Sequence, residues 1–501
     1  MGDTVGGARE GVAVLFPTVE FAVFYTVVFA FAWIFAAYPA RWHAWLLLTS
    51  AFFYASWNAR FLPLLVGLAL ANFALAQRIR ASATLSTARR WVTLAVVLDL
   101  AVLVAFKYLG FFMATGLEVF ARLGGRTTLT PVQWTLPLGV SFVTFQALSY
   151  AVDAYRARRQ ALASGEASKS SDRARDVVLY VMFFPHLVAG PIVRASEFIQ
   201  QIRSLKVPTR EQSTWAWWLI TTGLLKKVVL AGYLARAIVD PVFAAPESSD
   251  AVDLAVAVYG YAIQIYADFS GYTDMAIGLA ALLGVQFPAN FDQPYRAHSL
   301  QSFWRRWHMT LSRWLRDYLF VSLGGSRRGL GRTARNLFLT MLLGGLWHGA
   351  AWTFVLWGAL HGAGLVIERL VLATKLAETV AQRPAISLVV RVLSTVATFH
   401  VVCVGWVLFR AESVRDAWVM LSRIASRVSV ASDPRRTTGW LCAVIAASLA
   451  LQFVPATLAP AIAQRCARVS PVVLGMLVAT CFVLADVLSP PGLPPFIYFQ
   501  F

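Results

Sequence analysis

The chain has 501 residues, 58% of them hydrophobic and only 14% charged, and its mean hydropathy is +0.63. That balance excludes a soluble enzyme and predicts an all-α polytopic membrane protein. The formal net charge is +19, but Arg and Lys sit in short loops between apolar runs, so the partners it implies are anionic membrane lipids rather than nucleic acid.

Met1 to Glu10 lacks the basic start of a signal peptide. The first apolar run, 12–38, is too long for the core of one, so no cleaved leader is expected. Further runs follow at 43–57, 61–77, 91–120, 134–152, 214–235, 252–285, 336–371, 389–409, 438–457 and 471–488. Some have room for two passes. The runs 43–57 and 61–77 are short for a span of about 20 residues, which suggests tilted or paired segments. Together they predict about 10–13 transmembrane helices with re-entrant and interfacial elements. One integral-membrane domain, 1–501, is expected, with N-terminal helices over 1–152, a core over 177–371 and C-terminal helices over 389–501. No internal repeat is evident, which disfavours an inverted-repeat transporter.

The loops set an orientation. Arg78 to Arg90 carries four arginines, Tyr155 to Asp176 five arginines and a lysine, and Gln286 to Arg335 nine arginines. All three are expected on the cytoplasmic side. Asp240 to Asp253 carries four acids and no base, which suits the opposite side, and the N-terminus is placed outside.

Polar residues within or beside the apolar runs are the candidate site. His43 reads as structural. His186 stands in a Pro- and Gly-broken segment, 183–192, that reads as re-entrant. Lys226 and Lys227 interrupt a run, and snorkelling to the interface is the favoured reading over contact with an anionic ligand. Asp268 and Asp274 need partners at such depth, either in a tunnel wall or in a network that serves the fold alone.

From Ser302 to Phe320, with Trp304 as origin and ~100° per residue, Trp307, His308, Leu311, Trp314, Leu315 and Tyr318 fall within about 120°. Arg305, Arg306, Arg313, Arg316 and Asp317 fall opposite. This predicts an amphipathic helix at the cytoplasmic interface, ended by the turn Gly324 to Gly329. His308 lies at the stripe's edge, facing either inward or the headgroups. Further on, His348 is flanked by Gly344, Gly345 and Gly349, which predicts a broken helix. Its ring either faces a water-filled passage or bonds between packed helices. Histidine is the side chain best suited to move a proton near neutral pH. His361 follows Gly358, and Gly358 with Gly362 forms a G-x-x-x-G pair that favours packing. His298 reads as solvated and His400 as structural. Cys403, Cys442, Cys466 and Cys481 show no metal spacing and read as packing residues.

No phosphate-binding loop, dinucleotide fingerprint, zinc motif or nucleophile elbow occurs. The chemistry the sequence points to is base-assisted direct transfer. Five segments carry a family likeness: FFPHLVAGPIVR (183–194), QIYADFSGYTDMAIG (264–278), NFDQPY (290–295), FWRRWHMTLSRWLRDYLFVSL (303–323) and GLWHGAAWTFVLWGALH (345–361). Together they resemble the membrane-bound O-acyltransferase family, most closely its bacterial polysaccharide branch, typified by alginate O-acetyltransferase. The ending PFIYFQF (495–501) is similar too. Met309-Thr310 departs from the expected Ile-Ser.

The resemblance implies a helical bundle around a tunnel. It makes His348 the essential histidine and His308 the second motif histidine. It implies acyl transfer from a cytoplasmic thioester, with acetyl-CoA as the expected donor substrate and no bound cofactor or metal. Arg305, Arg306 and Arg313 would attract the donor's phosphates. The expected setting is the bacterial inner membrane, with a periplasmic partner protein that completes acetylation of an exported polysaccharide. The alternatives are transfer of D-alanyl or another acyl group to teichoic acid or protein, and a transporter or flippase of an acylated carrier without chemistry of its own.

Overall fold

The computed structural model describes residues 16, 18–165, 172–372, 384–427 and 437–489. The expectations for Met1 to Glu10 and for 495–501 lie outside them. Regular structure among the described residues is helical throughout, as expected for an all-α polytopic membrane protein. Among the described residues, five helices are long and apolar enough to cross a membrane: Pro39–Ala81, Leu85–Arg122, Trp352–Val371, Leu388–Arg410 and Pro471–Leu488. A sixth is added if Gly439–Phe453 and Leu458–Cys466, bent by 88°, form one span. The runs 43–57 and 61–77 thus belong to one helical stretch. Ala251–Leu282 is long enough at 32 residues, but its carboxylates, tyrosines and Gln264 place it outside that apolar set.

The chain forms two compact units. The first takes Met1–Ala216 and Ala276–Phe287, the second Trp217–Met275 and Pro288–Phe501. This grouping cuts across the three stretches read from the sequence.

In the first unit, helices start where the sequence supplies caps. The Thr18 hydroxyl accepts from the Phe21 N–H at 3.2 Å, and Thr84 does the same for Thr87 at 3.3 Å; such caps satisfy donors the helix leaves orphaned. Prolines open Pro39–Asn58 and Leu62–Ala81, where a missing N–H costs nothing. Several polar side chains inside this unit are paired. Asn72 donates to Asp99 at 2.7 Å. Asp176 is buried and receives Arg203 Nη2 at 2.6 Å, with His43 Nε2 at 3.8 Å. His43 is buried beside that carboxylate, and its Nδ1 lies 2.8 Å from the Pro39 carbonyl. His186 lies fully buried in the short helix Phe184–Leu187. Its Nε2 is 2.8 Å from the Tyr180 carbonyl, and its ring stacks on Phe287 at 5.2 Å.

In the second unit, the run 336–371 resolves into two antiparallel helices, Leu330–His348 and Trp352–Leu372. Glycine sets their spacing. A Cβ on Gly358 would come within 2.5 Å of the Met341 carbonyl, and one on Gly362 within 3.1 Å of the Phe338 carbonyl. The G-x-x-x-G pair thus serves close helix approach. Cys403 is buried, His298 is exposed, and His400 bonds Tyr259 at 3.0 Å.

Candidate active site

The segment 302–320 is not the single helix expected. Leu300–Trp304 is one short helix, and Met309–Trp314 begins another that runs into a π-helical turn, Leu315–Phe320. Between them His308 adopts a left-handed backbone, φ 42° and ψ 55°. For a non-glycine residue this costs roughly 1–3 kcal/mol and persists only where neighbours over-determine it. Here the stretch 290–292 does so. The Met309 N–H donates to the Asn290 carbonyl at 2.9 Å, and the Asp292 N–H to the Arg306 carbonyl at 2.9 Å.

The stripe itself is as expected. Trp304, Trp307, Leu311, Trp314, Leu315 and Tyr318 are all buried, while Arg305 and Arg316 are exposed and Arg306 and Arg313 half-buried. His308 departs from the stripe's edge, because the kink turns it inward to 0% exposure. The Phe269 ring meets it edge-on at 4.7 Å, and its Nδ1 lies 3.1 Å from Asn290 Oδ1. Burial pushes its pKa down to about 3, so the ring is neutral through the physiological range. Its Nε2 makes no hydrogen bond to any described residue.

His348 closes the helix Leu330–His348. Gly344 and Gly345 stay helical, contrary to the break expected there. A Cβ at Gly345 would meet the Phe354 carbonyl at 2.3 Å and Gly358 Cα at 2.9 Å, so tight packing against the following helix is what they provide. The break falls after the histidine, at Gly349, whose backbone is extended. The buried His348 ring packs on Trp347 and Trp357, both at 5.0 Å, and on Phe409 at 5.3 Å. Trp357 touches Trp304 at 5.5 Å. Trp406 touches Trp307, the residue before His308, at 4.8 Å. One aromatic cluster thus links the two segments. His361 is enclosed within it, by Trp357 at 4.8 Å and Trp304 at 5.2 Å.

Beside this cluster lies a cavity of about 570 Å³. Its lining includes Met309 and Thr310, which follow His308, and the arginines Arg305, Arg313, Arg316 and Arg369. Leu337, Met341 and Leu365 supply an apolar wall. Arg306 is not part of the lining; it pairs with Asp292 at 2.5 Å. His348 is not part of it either, although Met341 lies two turns earlier on the same helix face, about 10 Å away along the axis. The sequence pointed to neither Arg369 nor Glu368, whose carboxylate accepts from the Gln301 N–H at 3.2 Å.

A family model for membrane-bound O-acyltransferases matches residues 103–404, a stretch that contains His308, His348 and the whole lining of the cavity. The chain belongs to the membrane-bound O-acyltransferase family. Relatives agree. It is 40% identical over 390 residues to a probable alginate O-acetylase of Azotobacter vinelandii, covering 77% of this chain and 74% of that one. It is 42% identical over 385 residues to the corresponding Pseudomonas aeruginosa protein (76% and 69% covered). A peptidoglycan O-acetyltransferase of Helicobacter pylori is 35% identical over 395 residues (75% and 72% covered). The chain is therefore a membrane-bound O-acyltransferase and an enzyme, and the transporter reading gives way.

Lys226 and Lys227 correct one further expectation. Neither snorkels. Lys226 pairs with Asp274 and Lys227 with Asp268. The lysines sit where Arg210–Leu224 passes into a π-helical turn, Leu225–Ala231. A Cβ on Gly223 would meet the Gly271 carbonyl at 2.6 Å, so glycines bring the two backbones together and the ion pairs close across them. The 41- and 48-residue separations hide these partners from local sequence reading. Lys227 and Asp268 are both buried, so breaking that pair costs about 3–5 kcal/mol, while the partly exposed Lys226–Asp274 pair is worth less. In this acyltransferase Asp268 precedes Phe269, the ring against His308.

Proposed function

We propose that this acyltransferase moves an acetyl group from acetyl-CoA, arriving from the cytoplasmic side of the bacterial inner membrane, toward hydroxyls of an exported polysaccharide. The observation that carries the reading is the cavity lined by Arg305, Arg313, Arg316 and Arg369, next in sequence to His308. Guanidinium groups are suited to bidentate phosphate contact, and the apolar wall suits a pantetheine-like arm. His348 acts as general base. As the acceptor oxygen attacks the thioester carbonyl, the hydroxyl proton passes to the imidazole, the carbon–sulfur bond breaks, and the thiolate leaves to take up a proton. His308 orients the reacting groups. The names of the relatives support an acetyl group and a glycan acceptor. A separate periplasmic protein completes transfer to the sugar.

Two experiments test this reading. Replacing Arg305 and Arg306 with Gln raises the KM for acetyl-CoA roughly tenfold or more, the scale of a lost charge-assisted hydrogen bond, with Arg305 carrying the larger part because it lines the cavity. An unchanged KM removes the donor from this cavity. For orientation, a cysteine at the exposed Ser326, in a chain whose four native cysteines are replaced, reacts with an impermeant thiol reagent only after the inner membrane is opened. Labelling in intact spheroplasts reverses the direction of transfer.

A further inference from the structure

Three groups converge on one atom, Asn290 Oδ1: the Thr310 N–H at 3.2 Å, the Thr310 hydroxyl at 2.9 Å and His308 Nδ1 at 3.1 Å. A backbone N–H can only donate, so the Asn290 atom facing it is the carbonyl oxygen and not the amide nitrogen. An oxygen cannot donate to His308, so Nδ1 carries the ring proton and Nε2 the lone pair. Asn290 is buried, and its own carbonyl holds the Met309 N–H, so the acceptor is anchored to the two residues that follow the left-handed turn. His308 Nε2 is shielded from solvent and bonds no described residue.

We propose that Asn290 is a positioning residue that fixes His308 in the Nδ1–H form, so that Nε2 meets the reaction as a hydrogen-bond acceptor. This rests on the reading of His308 as a site residue, and sharpens it. A ring so fixed cannot donate to the thioester carbonyl or to the negative charge that develops on it. It can accept from a hydroxyl. His308 therefore belongs to the acceptor-alcohol side of the reaction, and donors for the carbonyl oxygen come from elsewhere.

The test is nitrogen NMR of the full-length protein carrying ¹⁵N-histidine in detergent, with His308→Gln identifying the ring's signals, alongside transfer kinetics. The expected wild-type signals are a protonated Nδ1 and an unprotonated Nε2. Asn290→Asp keeps an acceptor oxygen, and should keep the tautomer and a kcat within about tenfold of wild type. Asn290→Leu removes it, mixes the tautomers and lowers kcat about 10²-fold or more, the direction seen when a catalytic histidine is held in the wrong tautomer. Should the Leu variant not fold, the wild-type spectrum still decides. An Nε2–H ring overturns the Asn290 assignment, as does a Leu variant that keeps both tautomer and kcat. Full activity in His308→Gln instead contradicts the underlying reading of the site.

Discussion

Replacing His348 by alanine silences acyl transfer without unfolding the protein. A general base contributes about 10²–10⁴ in rate, and no other described histidine combines a helix end with contact to the aromatic cluster through Trp347, Trp357 and Phe409. The ring stands at the last helical residue, before an extended Gly349, so its loss leaves the Gly345–Gly358 helix contact intact. Acetyl transfer from labelled acetyl-CoA by purified protein, with size-exclusion profiles in detergent, checks both halves. Near wild-type transfer sinks the assignment.

His308→Ala is expected to impair transfer nearly as severely, and His361→Ala less so at equal expression. The two rings are equally buried, so burial does not separate them; placement does. His308 holds a strained backbone beside a cavity lined by the two residues that follow it. His361 is wedged among Trp304, Trp357 and the Gly405 backbone, where a Cβ on that glycine would come within 2.8 Å of the ring. Its truncation leaves a void and costs stability, so the His361 variant should show a lowered melting temperature with kcat per folded molecule largely retained. The reverse ranking in kcat places the second site residue at His361.

The parts of this enzyme legible in the sequence are those that local periodicity determines. The buried stripe from Trp304 to Tyr318 follows from spacing alone and survives a break in the helix, because burial of the tryptophans and leucines constrains each turn separately. The G-x-x-x-G at Gly358 and Gly362 announces close packing for the same reason. Contacts made at a distance in sequence were hidden. The turn at His308 is imposed by the stretch 290–292, and the Lys226 and Lys227 partners lie more than forty residues away. Gly344 and Gly345 read as a break because glycine weakens an isolated helix; tertiary packing against Gly358 and Phe354 overrides that. Four arginines on one polar face look equivalent in a helical projection, yet Asp292 takes Arg306 while Arg305, Arg313 and Arg316 line the cavity.

The claim that the enzyme acetylates an exported polysaccharide is tested most directly by mass spectrometry of that polysaccharide from three strains: one lacking the gene, one complemented with the wild-type gene, and one complemented with the His348→Ala gene. O-acetyl esters should be absent in the first, restored in the second and absent in the third, at equal levels of membrane protein. Acetylation that persists without the gene, or that returns with His348→Ala, contradicts the account.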